Sequence, residues 1–117
     1  MVSAQYLANF RAERASRQAQ ARNLSRDVDQ QWINGWDGRH RYLAQWVVVN
    51  NAIDGGSVCE NQGRGSIDYR ECRKGAKVFF RDQCRAWAAR AAQEQQTWSD
   101  QMKDRYCHAE SGFNPLG

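Results

Sequence analysis

The chain has 117 residues with a formal net charge of +4 at neutral pH and a pI near 9.1, a length that suits one domain, residues 1–117, and leaves no room for a second core. Its longest apolar stretch is Trp46-Val47-Val48-Val49, far short of the ~18 apolar residues a membrane-spanning helix requires. Only 18 residues are Leu, Ile, Val or Phe, so the core must be small and rely on the five Trp, an arrangement that gains much from covalent staples.

Ala, Arg and Gln (15, 14 and 12 residues) supply abundant helix formers, and the single proline is Pro115. A long N-terminal helix is predicted over residues 1–34, opening at the N-cap Ser3. Tyr6 and Phe10 are spaced by four, as are Leu24, Val28 and Trp32. Between these groups "RAERASRQAQAR" offers only a shallow apolar stripe, which would gain from a second copy; this points to a homo-oligomer formed through that helix. The same stretch is Arg-rich and acid-poor, like a transit peptide, although Glu13 interrupts it.

"INGWDGR" (33–39) is a turn, since Asn-Gly and Asp-Gly both break regular structure. Trp32 and Trp36 flank it. Core packing is the commoner fate of such indoles, and a surface anchor for a partner is the functional alternative. "RYLAQWVVVNNAI" (41–53) places Tyr42, Leu43, Trp46, Val47, Val49 and Ile53 at helical spacing. Its valines would suit a strand, but no second strand is evident to pair with it, so a helix is expected.

Residues 54–66, "DGGSVCENQGRGS", form a Gly-rich loop. "GRGSIDYR" places glycines before a helix N-terminus, yet matches neither phosphate-binding fingerprint. Arg64 on this loop is a candidate contact for an acidic partner, with Trp36 and Asp37 beside it. From Asp68 onward Ala76, Phe80, Cys84, Trp87, Ala91, Trp98, Met102 and Tyr106 keep a helical rhythm. "TWSD" (97–100) breaks that rhythm as a capping box with Thr97 as N-cap. Trp87 and Trp98 lie on the apolar stripe and are expected in the core. Residues 110–117 read as an irregular, frayed tail. The fold class expected is all-α: a small bundle of about four helices.

Cys59, Cys72, Cys84 and Cys107 lack the close pairing of structural zinc ligands, and His40 and His108 are not spaced as a ligand pair, so no metal or cofactor is expected. No cysteine is marked out as a nucleophile, and the acids give no pair suited to general acid catalysis; no enzyme is expected. An even cysteine count in a short, weakly cored chain reads as two disulfides. If Cys72 and Cys84 share a helix they lie about 18 Å apart along its axis, beyond disulfide reach. The remaining pairings are 59–72 with 84–107, which is preferred, or 59–84 with 72–107.

Disulfides point to the periplasm or the exterior. No apolar leader opens the chain, so this expectation requires a signal removed and Met1 standing in its place; the alternative is a cytoplasmic protein. Arg outnumbers Lys fourteen to three, which raises nucleic acid as the alternative partner, but acids are interspersed with the basic residues. The expectation is a small exported protein that binds another protein, of inhibitor, immunity or envelope-adaptor type.

Overall fold

The computed structural model describes residues 26–116. Three strands, β1 (Asp27–Asn34), β2 (Arg41–Val49) and β3 (Ala52–Ile53), precede two helices, α1 (Ile67–Glu94) and α2 (Thr97–Gly112). The strands form one antiparallel sheet in the order β1-β2-β3. The fold is therefore α+β, and the all-α expectation is wrong. Residues 1–25 of the expected N-terminal helix, and the self-association read from them, lie outside the described residues; residues 27–34 are strand.

The physical reason lies in β2, which is apolar on both faces. Ala44, Trp46 and Val48 point inward and are buried, while Leu43 and Val47 on the other face are half-buried. Such a strand shows no period-2 alternation, and its apolar residues also fit a helical spacing. The turn expected at 33–39 is present, but it closes a hairpin rather than separating helices. The Gly35 N–H donates to the His40 carbonyl at 2.7 Å, and Gly38 takes a φ of +70°. A second tight turn joins β2 to β3 through Asn50 and Asn51, both at positive φ (49° and 65°), where Asn is among the best-tolerated residues.

One face of the sheet packs on α1 and α2. The indole of Trp46 meets Phe80 edge-on at 5.1 Å between centroids, and Phe80 also packs on Phe113 at 5.6 Å. The Trp46 Nε1 is buried without an acceptor among the described residues, a cost of ~1–3 kcal/mol that the aromatic cluster must offset. Phe113 belongs to this core, so the tail is not frayed as expected. Trp87 packs against the core, whereas Trp98 is exposed and only meets Trp87 edge-on at 6.2 Å, contrary to the expectation for it.

α1 starts at Ser66, whose hydroxyl accepts from the Tyr69 N–H at 3.0 Å. It ends at Gln95 in the left-handed region. The break before Thr97 is where the sequence places it, but Gln96 is the N-cap, it makes no side-chain cap bond, and Thr97 is the first helical residue. Cys84–Cys107 ties α1 to α2 with Cα atoms 4.6 Å apart. Cys59–Cys72 ties the Gly-rich loop to α1 at 6.0 Å, and both of its cysteines are buried. These bridges form one of the two pairings left open by the spacing. At the far end Lys77 Nζ donates to the Glu110 carbonyl and, at 2.9 Å, to that of Phe113, satisfying acceptors at the C-terminus of α2.

Candidate functional site

The two long edges of the β1–β2 hairpin are treated differently. Gly35 and His40 form a hydrogen-bonded pair, and the register steps in twos to Ile33/Tyr42, Gln31/Ala44 and Asp29/Trp46. On β2 the intervening residues Leu43, Gln45 and Val47 therefore turn their main-chain groups away from β1, and the Gly-rich loop and its flanks meet all three carbonyls and the Val47 N–H. Asp54 N donates to the Val47 carbonyl at 2.8 Å, and the Ser57 hydroxyl accepts from Val47 N at 2.8 Å. Cys59 N donates to the Gln45 carbonyl at 2.9 Å, and Asn61 Nδ2 to that of Leu43 at 2.6 Å. That edge is covered by the loop.

On β1 the matching residues are Val28, Gln30 and Trp32. Among the described residues β1 pairs with β2 alone. The Gln30 N–H donates, among the described residues, only to the side-chain carboxylate of its neighbour Asp29, at 2.9 Å. This edge is open among the described residues, and at its Trp32 end it overlooks a groove of about 360 Å³. Trp32, Trp36 and Arg41 wall the groove on the hairpin side, and Val78, Phe79 and Asp82 of α1 form the other side. The floor exists because residue 75 is glycine: a Cβ there would run into the Asn34 carbonyl oxygen and sit 3.2 Å from its carbon. The backbone of α1 thus touches the end of β1 directly.

The hairpin tip holds Trp36 in place through Asp37. Its carboxylate accepts from the backbone N–H of Arg39 (2.9 Å) and of His40 (3.2 Å) and pairs with His40 Nδ1 at 2.8 Å. Its own N–H donates to Glu71 at 3.0 Å, and Tyr42 donates to Asp68 at 3.2 Å, so two contacts pin the hairpin to α1. The Arg39 N–H, followed by the His40 ring, holds the Asp37 carboxyl down at about 2. In turn Asp37 raises His40 above its ordinary 6.5. The sign follows from these shifts. The contribution of His40 is full below pH 6.5 and lost as pH rises through its folded value. That of Asp37 is present above 3.8 and lost as pH falls through about 2. NMR titration of the His40 ring should give a midpoint above 6.5, which Asp37→Asn should return toward 6.5; an unmoved midpoint would refute the contact.

Trp36 is 62% exposed and Trp32 55% exposed, so neither is a core residue as the commoner reading had it. The Arg41 guanidinium lies 5.8 Å from the Trp32 ring centroid. Arg64 is not part of this groove. It is exposed, paired with Glu60, and 3.4 Å from the Gly56 carbonyl. Of the three residues singled out from sequence, the structure thus brings Trp36 and Asp37 together and leaves Arg64 elsewhere. Trp32 was weighed beside Trp36 as a surface anchor but not singled out, and the α1 wall of Val78, Phe79 and Asp82 was missed; a glycine inside a helical pattern, Gly75, was the signal that a backbone approaches closely there. All four sulfurs are engaged in the two bridges, and among the described residues no cluster of three or more His, Cys, Asp or Glu is placed to hold a metal ion. No helix of the described residues is long and apolar enough to cross a membrane. No protein-family model, curated protein or solved structure matches the chain.

Proposed function

We propose that this chain is an exported, disulfide-stapled binding module that engages another protein, as an inhibitor or adaptor would, rather than catalysing a reaction. The observation that carries the reading is the groove, where two solvent-exposed indoles and an unclosed strand edge converge on a rigidly pinned hairpin. Exposed tryptophans are costly on a free surface and are enriched at the energetic centres of interfaces. The two disulfides support an oxidising compartment.

Two measurements test the parts separately. Alkylation of the denatured, unreduced protein from its native host should find no free thiol; four free thiols would sink the export reading. Affinity capture from the same host should retain a protein on the wild type that is lost with Trp32→Ala and Trp36→Ala. A nucleic-acid partner would instead lose affinity steeply between about 50 and 200 mM salt. Capture unaffected by either substitution would remove the groove from the interface.

A further inference from the structure

We propose that the partner docks by strand addition: an extended segment pairs with the open edge of β1 and places a bulky apolar side chain in the groove between Trp32 and Trp36. This rests on the reading of the chain as a protein-binding module and specifies its mode.

The two edges of the hairpin are unequal. Five protein groups cover the β2 edge, meeting the carbonyls of Leu43, Gln45 and Val47 and the Val47 N–H, whereas the outward main-chain groups of Val28, Gln30 and Trp32 on β1 meet only the side chain of Asp29 among the described residues. A row of unpaired N–H and C=O groups is a template for another strand, and main-chain bonds of this kind supply affinity while a side-chain pocket supplies selectivity. Here the pocket lies where the edge ends, and its wall includes Trp32, Ile33 and Asn34 in sequence. A strand paired with β1 that continues past Trp32 necessarily runs over the groove.

Charge narrows the occupant. Asp27 and Asp29 lie toward the other end of the same edge, with no ion-pair partner among the described residues, and Asp82 stands in the groove wall. Arg41 is already placed over Trp32. Opposite charges across a strand pair are favourable and like charges are not. The fitting segment is therefore extended and basic, with its anchor at one end: an aromatic or large aliphatic residue for the groove, and Lys or Arg facing Asp27 and Asp29. Acids on an edge also discourage unwanted pairing. They do so against other acidic or apolar edges, including a second copy of β1, and favour a basic one.

The test uses a heptapeptide of alternating lysine and valine with a tryptophan near one end, acetylated and amidated, titrated into ¹⁵N-labelled protein. The expected result is saturable amide shifts centred on Val28, Gln30 and Trp32. Binding should weaken at least tenfold when alternate peptide amides are N-methylated, and also in Gln30→Pro. Proline there removes an outward N–H without touching the ladder to β2, so the fold is retained, and an unchanged β2 spectrum verifies this. Equal binding of the N-methylated peptide, or no saturable shift, overturns strand addition. Dilution-dependent shifts at β1 without peptide also overturn it, in favour of a second copy as the occupant. If the native partner is lost with Trp36→Ala but kept by Gln30→Pro, strand addition falls and the protein-binding reading stands; if both variants keep it, strand addition and the groove fall together, and if the wild type retains no partner the protein-binding reading falls.

Discussion

Replacing Arg73 with alanine is expected to lower the unfolding free energy by about 3–5 kcal/mol, more than any other single charge removal in the domain. Arg73 is 4% exposed, yet among the described residues it has no carboxylate partner. Carbonyl oxygens take its place. Nη1 donates to Gly55 at 2.8 Å and to Val58 at 3.1 Å, Nη2 to Asn114 at 2.9 Å, and Nε to Pro115 at 3.4 Å. The guanidinium plane also faces Phe113 at 4.6 Å and Tyr69 at 5.4 Å. One side chain on α1 thus fastens both the Gly-rich loop and the C-terminal tail. Truncation recovers the desolvation cost of one cation, but it strands several acceptors where water enters poorly and opens a cavity beside Phe113. The second set of effects is larger because it involves several groups and one cation. Lysine should restore only part of the loss, since a single ammonium cannot reproduce the planar fork. Urea midpoints for Arg73→Ala, Arg73→Lys and the exposed control Arg70→Ala would check this. The control should stay within ~0.5 kcal/mol of wild type. An Arg73→Ala protein equally close to wild type would show that the tail and loop are held by something else.

The same region shows why the sequence was only partly readable. The break between the two helices, the turn at 33–39 and the stapling role of the cysteines follow from local chemistry that tertiary packing does not override. The strands do not. β1 reads Asp-Val-Asp-Gln-Gln-Trp-Ile-Asn, and only Ile33 of it is buried, because among the described residues β1 is an edge strand paired on one side alone and most of its side chains meet solvent. With no alternation in β1, β2 had no visible partner, and its double-sided apolar run passed for a helix. The Asn-Gly turn between apolar runs was the local hairpin signal available. As for the candidate site, Trp36 and Asp37 could be singled out because the Asn-Gly and Asp-Gly turn places them at a hairpin tip, although core packing was the commoner expectation for the indole. Arg64 was not, because its pairing with Glu60 depends on the left-handed backbone at Cys59 and the short helical turn that follows, which spacing alone does not show.

Gly75→Ala tests the feature on which both the fold and the groove depend. In an exposed helix this substitution would stabilise by ~1 kcal/mol, since alanine is the better helix former. Here the opposite sign is expected, a net loss of about 2–3 kcal/mol. The new methyl would overlap the Asn34 carbonyl oxygen and crowd the Gly35 Cα at 3.4 Å, and both obstacles are backbone. A flexible side chain could swing aside; a strand end fixed by the Gly35–His40 bond cannot move alone. Relief therefore requires the hairpin to lift from α1, which would break the Asp37–Glu71 and Tyr42–Asp68 contacts and pull Trp32 and Trp36 away from Val78 and Phe79. The substitution should thus lower the urea midpoint and weaken partner capture together, although residue 75 contributes no side chain to an interface. Gly112→Ala is the matched control. It sits in the last turn of α2 with nothing within 4 Å of its Cβ position, so it should be neutral or slightly stabilising. If Gly75→Ala instead gains stability as Gly112→Ala does, α1 does not touch β1 at this point, and the groove between them is not the binding site.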